Sequence, residues 1–119
     1  MEIQVQTHGF VDVVEIRGRP DVGNVRQIHD AVGRLIEKGE PFLVADLSHV
    51  PDLDSSWLGA LVTCRERTRR HGGTIKIVAR GRCRDLFVAS CLDRVFEVYG
   101  NQDEALDSFD PECATVGVP

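Results

Sequence analysis

The 119-residue sequence lacks a basic surplus, a long apolar run and a paired-cysteine motif, and each absence removes a class of function. Its formal net charge is −5 and its pI is near 5.3, which argues against a general binder of nucleic acid or anionic membrane. No stretch approaches the ~20 apolar residues needed to span a bilayer, so no membrane insertion is expected. Cys64, Cys83, Cys91 and Cys113 form no C-x-x-C pair and have no histidine at zinc-finger spacing. Met1 leads directly into a strand-like run with no apolar signal segment, so a cytoplasmic chain with reduced, packing cysteines is expected. His8, His29, His49 and His71 are scattered, and there is no P-loop, G-x-G-x-x-G or G-x-S-x-G frame. No metal, cofactor or catalytic residue is expected from these patterns.

What is present fits one ordinary domain. Hydrophobic residues make up 42% of the chain, enough for a single core without metals or staples. Ile3 to Gln6 alternates apolar and polar, and Phe10 to Ile16 is rich in β-branched residues. The short link through Gly9 predicts an antiparallel pair. Val25, Ile28, Val32, Leu35 and Ile36 recur at helical spacing and stop at Gly39. Phe42 to Ala45 is a continuous apolar run, the pattern of a strand covered on both faces.

A second helix is predicted from Asp54, with Leu58, Leu61 and Val62 inward and Cys64 or Arg65 at the edge. It stops at Gly72-Gly73. Ile75 to Val78 is a strand, Arg82 to Cys91 a helix with Leu86 and Phe87 inward, and Val95 to Tyr99 the last strand. Asn101 or Asp103 caps a final helix carrying Ala105, Leu106 and Phe109. The order β-β-α-β-α-β-α-β-α predicts an α/β fold, a mixed sheet with helices packed on it. Residues 1–110 form the domain. The tail 111–119 has no clear period and is expected to be disordered.

The most informative segment is Asp46-Leu47-Ser48 followed by Leu53-Asp54-Ser55-Ser56-Trp57-Leu58-Gly59-Ala60-Leu61. Asp54 is a good N-cap, because its carboxylate can accept first-turn backbone N–H groups. Ser55 and Ser56 then lie where those groups are unpaired and the helix dipole is positive. A phosphate there would be electrostatically tolerated, yet would add about −1.5 to −2 charge to a surface already holding Asp52 and Asp54. On local grounds alone, D-S-S before an apolar run is an ordinary helix start.

The same run resembles the signature of STAS domains, particularly bacterial anti-sigma factor antagonists, whose pattern is approximately D-L-S, a short loop, then D-S-S/T-G-L-G. Gly18-Arg19-Pro20-Asp21 sits where that family often has G-E-L-D, and Cys83 through Phe96 is similar to its third helix and following link. The similarity in element order covers residues 3 to 109. It implies a STAS-like sheet and a partner switch. An anti-sigma factor that is also a serine kinase binds the unphosphorylated protein and releases the sigma factor; the kinase then phosphorylates the serine after the Asp, and a phosphatase reverses this.

Carried onto this chain, the resemblance makes Ser55 the phosphorylation site. The partner surface would comprise Asp21, Asp54, Ser55, Ser56, Trp57 and Gly59, and the outcome would be control of sigma-factor-dependent transcription without direct contact to nucleic acid. The alternative on the same fold is an unphosphorylated scaffold or transporter-associated subunit using the same loop. Two departures mark a divergent member. Arg19 and Pro20 replace an acidic and an apolar residue, and Trp57 replaces a small Gly. Trp57 admits three readings: a partner anchor, a core residue, or a block to a kinase.

Two further clusters have bland readings. Arg65, Arg67, Arg69, Arg70 and His71, echoed by Arg80, Arg82 and Arg84, fit a solvated helix face better than a nucleic-acid patch, since no aromatics are interleaved. Asp46, His49 and Ser55 have the residue types of a hydrolase triad without its sequence frame. Oligomeric state is left open, because sheet edges either pair or are covered.

Overall fold

The alternation of short apolar strands with amphipathic helices yields one five-stranded sheet in the computed structural model, which describes residues 1–39 and 41–109. The strands are β1 (Glu2–His8), β2 (Val11–Arg17), β3 (Phe42–His49), β4 (Thr74–Val78) and β5 (Val98–Tyr99). The helices are α1 (Arg26–Glu37), α2 (Ser55–Arg70), α3 (Gly81–Ala89) and α4 (Gln102–Asp107), with a single 3₁₀ turn at Leu92–Arg94. The order is the one read from the sequence, apart from that extra turn. The proposed tail 111–119, with Cys113, lies outside the described residues.

Strands lie in the spatial order β1-β2-β3-β4-β5. β1 and β2 form an antiparallel hairpin in which Glu2 faces Arg17 and His8 faces Val11. Gly9, at φ +64°, takes the first loop position, where a primed hairpin turn needs left-handed backbone. All other pairs are parallel, as helical crossovers require.

The period-2 alternation of side chains divides the core in two. Val14, Ile16, Leu43, Ala45, Leu47, Ile75 and Ile77 face α1, α2 and α3. Val11, Val13, Phe42, Val44 and Val78 face the opposite way and are covered by Ala105 and Phe109. β3 is buried from Phe42 to Leu47 because it has helices on both sides, the reason its sequence is a continuous apolar run.

Three boundaries differ from the periodicity. The buried stripe of α2 is Trp57, Ala60, Leu61, Cys64 and Thr68, with Leu58 and Val62 only half-buried. Once Trp57 is the first inward residue, the stripe follows at three- and four-residue steps. α3 ends at Ala89, since Cys91 takes a left-handed backbone at φ +61° that no helix continues. The last strand begins at Val98, because Val95 and Phe96 donate their N–H groups back to Leu92 O at 3.0 and 2.8 Å rather than to the sheet.

Cys64 and Cys83 are fully buried, and burial pushes both thiols up to about 11. Cys91 is exposed. Of these three, only Cys91 is expected to be alkylated by iodoacetamide at about pH 8 in the folded protein, with Cys64 and Cys83 following on unfolding. Peptide mapping by mass spectrometry before and after denaturant checks this. Early labelling of Cys64 would contradict the described core.

Candidate functional site

The loop between β3 and α2 is held by three buried apolar residues spaced along it and the first turn of α2. Val50, Leu53 and Trp57 are buried, while Asp52, Asp54 and Ser55 between them are exposed. Burying these three apolar side chains fixes the path of the loop and turns its polar residues outward. Val50 N–H also donates to Leu47 O at 3.0 Å, which closes the turn after β3.

Asp54 caps α2 from an extended backbone (φ −88°, ψ 167°). Its Oδ1 accepts the Ser56 N–H at 3.0 Å, the Trp57 N–H at 3.3 Å and the Ser56 hydroxyl. The cap's bonds thus go to Ser56 and Trp57, while Ser55 occupies the first helical position, exposed, at the positive end of the dipole. The Ser56 hydroxyl bond pulls the Asp54 carboxyl below its ordinary value. Desolvation opposes this shift, and backbone hydrogen bonds from Trp57, Ser56 and Val22 assist it.

A depressed folded-state value means the cap contributes stability above the ordinary carboxylate range, and that this contribution is lost as pH falls through the lowered value. Asp54→Asn keeps a capping oxygen and removes the titration. Its urea midpoint is expected to fall less than that of the wild type between about pH 5 and about pH 2. Parallel acid limbs would contradict the cap's role.

Asp21 sits on the facing loop, between β2 and α1. Gly23 N–H donates to Asp21 Oδ1 at 2.8 Å, Asp21 N–H to Asn24 Oδ1 at 2.8 Å, and Asn24 N–H to Asp21 O at 3.1 Å. This is a self-capped turn of the kind Asp and Asn favour. Arg19, Pro20 and Asp21 form one wall of a groove whose other wall is Pro51, Asp52, Leu53 and Asp54. The structure therefore brings together Asp21 and Asp54, with Ser55 and Ser56 at the adjoining helix start. Gly59 is exposed one turn along α2.

Trp57 is a correction to the expected surface. It is 0% exposed, so its side chain offers no area to a partner. Its indole N–H instead donates to Asp21 O at 2.8 Å and Asn24 Oδ1 at 3.1 Å. The large apolar ring fills the space under the two loops, and its one polar atom finds acceptors on the facing turn. Of the three readings, the core one describes this side chain.

Two residues of this region carried no signal in the motif. Asn24 is half-buried at the hub of the facing turn; the spacing Asp21-x-x-Asn24 ahead of a helix would have pointed to it. Arg82 pairs with Asp52 at 3.2 Å, an exposed contact that nothing local in the sequence marks.

The residue types of a hydrolase do not assemble. Asp46 is buried on the sheet face away from α2, where Oδ2 accepts Gln102 Nε2–H at 2.6 Å and Oδ1 accepts Ser48 N–H at 2.9 Å. It therefore lies across the sheet from Ser55. In the arginine run, Arg67 donates to His29 O at 3.1 Å and ties α2 to α1, while Arg69 and Arg70 are exposed. Among the described residues no group of three or more His, Cys, Asp or Glu side chains could hold a metal, and no helix is long and apolar enough to cross a membrane.

The STAS domain model matches residues 2–105, nearly the whole described chain. The chain belongs to the STAS domain family. Among solved structures, an anti-sigma factor antagonist from Mycobacterium paratuberculosis is 31% identical, with a TM-score of 0.82 over 90% of this chain and 92% of that one. A putative anti-sigma factor antagonist from Thermotoga maritima shares the fold at 20% identity and a TM-score of 0.76, over 88% of this chain and 92% of that one. So does the phosphorylated form of the Bacillus cell fate determinant SpoIIAA, at 19% identity and a TM-score of 0.69, over 89% and 97%. No curated relative matches the chain in sequence. Within this STAS domain, the D-L-S and D-S-S segments are the two ends of the β3–α2 connection.

Proposed function

We propose that this STAS domain is a cytoplasmic anti-sigma factor antagonist. It binds an anti-sigma factor that is also a serine kinase, through the surface formed by Asp21, Asp54, Ser55, Ser56 and Gly59, and it is switched off by phosphorylation of Ser55. A serine phosphatase restores it, and the output is sigma-factor-dependent transcription. The observation that carries this reading is the exposed Ser55 at the first position of α2, beside a cap that engages Ser56 and Trp57 instead. The 31% identity to a mycobacterial anti-sigma factor antagonist supports the choice of partner class.

The position explains how a switch could act without refolding the domain. A phosphate at the head of α2 meets the positive end of the helix dipole, so the helix tolerates it. Its added charge falls instead on the outer surface, next to Asp54 and across from Asp21. A partner fitted to the unmodified surface then meets a new, strongly hydrated anion.

Titration of the unphosphorylated protein with candidate anti-sigma kinases tests this. One kinase is expected to form a complex that dissociates when ATP and Mg²⁺ are added. A complex that persists through ATP addition with the kinase active, or no complex with any of them, would refute the reading.

A further inference from the structure

The groove beside Ser55 has two walls from segments far apart in sequence, and one side chain spans them. Trp57 is bonded to the α2 side through its backbone N–H, which donates to Asp54 Oδ1 at 3.3 Å. It is bonded to the facing side through its indole N–H, which donates to Asp21 O at 2.8 Å and Asn24 Oδ1 at 3.1 Å. Asn24 in turn receives the Asp21 N–H at 2.8 Å and donates from Nδ2 to Arg19 O at 3.3 Å. Every residue of the 19–24 segment is exposed or half-buried, apart from Pro20. The wall has little core of its own, and its anchor to the rest of the fold is polar.

We propose that Trp57 is a positioning residue. Its indole N–H fixes the Asp21–Asn24 turn against the head of α2, so that Asp21 and Asp54 meet a partner as one pre-formed surface. This rests on the docking role proposed above for that surface. The ring's burial is one contribution and the N–H donor is a second, separable one. The ring stabilises the domain as a whole, whereas the N–H has partners only in the turn. A binding surface held in place before contact avoids the ordering cost that a loose loop would pay on association.

Trp57→Phe separates the two contributions, since it keeps an aromatic ring in the core and removes the donor. In hydrogen exchange followed by NMR, the Asp21, Gly23 and Asn24 amides, each bonded within the turn, are expected to exchange about tenfold faster in this variant. The Val44 and Ile77 amides of the central sheet should keep wild-type rates relative to global stability. Affinity for the kinase bound by the wild type is expected to fall about tenfold. Asn24→Ala removes one indole acceptor together with the acceptor of the Asp21 N–H, so it is read at the Gly23 and Asn24 amides, which should loosen with Trp57 in place.

Unchanged turn amides in Trp57→Phe would overturn the proposal. So would loosened amides with unchanged affinity. If the wild type binds no kinase at all, the proposed function fails instead, and the amide rates alone decide whether Trp57 positions the turn.

Discussion

Ser55→Asp is expected to weaken the complex with the anti-sigma kinase at least about 100-fold, with the fold intact. The size follows from where the charge goes. Ser55 is exposed, one residue after a carboxylate whose folded-state value is already depressed, so this surface is anionic throughout the physiological range. A further carboxylate there creates like-charge contacts or an unpaired buried anion in the complex, effects worth several kcal/mol. A hundredfold change needs about 2.7 kcal/mol of that.

Stability should hardly respond. An exposed residue in the first turn of a helix favours negative charge, and surface substitutions elsewhere stay within about 0.5 kcal/mol. Ser55→Ala is the control, with binding kept and switching lost. Calorimetric titration of both variants, with urea unfolding alongside, separates a charge effect from a folding one. Equal affinities for Ser55→Asp and the wild type would exclude an electrostatic switch at this position.

Trp57→Ala is expected to destabilise the domain by about 3–5 kcal/mol, the range for deleting a large buried aromatic ring. Trp57 is 0% exposed and packs in the larger of the two core clusters, so its truncation leaves a cavity and forfeits those contacts. Two acceptors, Asp21 O and Asn24 Oδ1, lose their shared donor at the same time. A small domain has about 5–15 kcal/mol in total, so this one change removes a large part of it.

Each kcal/mol shifts the melting midpoint of a domain this size by about 4 °C, so a fall of more than about 10 °C is expected. Circular dichroism measures it in both proteins, because the variant lacks the chain's single tryptophan. A loss below about 1 kcal/mol would mean that the ring is not the core residue described here.

The element order was legible because strand and helix periods are strong signals, and the D-S-S cap was legible because capping is local chemistry. What escaped is long-range. Trp57 follows two serines at the head of α2, and nothing within a few residues tells whether it turns in or out. Its direction is decided by acceptors on Asp21 and Asn24, more than thirty residues earlier. The same holds for Asp46. As part of D-L-S it belongs to the motif, yet its carboxylate is satisfied by Gln102 of α4, on the far side of the sheet from Ser55.

The end of α3 differs from its periodicity for a local reason of a different kind. Cys91 adopts a left-handed backbone although it is not glycine, a choice that residue statistics disfavour and the following 3₁₀ turn imposes. The inward face of α2 was displaced because the stripe was counted from Leu58. With Trp57 as its first member, Ala60, Leu61 and Cys64 follow at once. Local residue chemistry does not separate the two adjacent serines, and in the sequence only the family resemblance singles out Ser55. Asp54 engages the Ser56 N–H and hydroxyl, which leaves Ser55 the exposed one of the pair.

The central claim is that Ser55 is the residue through which the partner is released. Incubation of the protein with the kinase it binds and ATP, followed by site mapping of the phosphate by tandem mass spectrometry, tests it most directly. The account predicts one phosphate, on Ser55, in the fraction that no longer binds the kinase. A phosphate on Ser56, or release of the kinase with Ser55 unmodified, would contradict it.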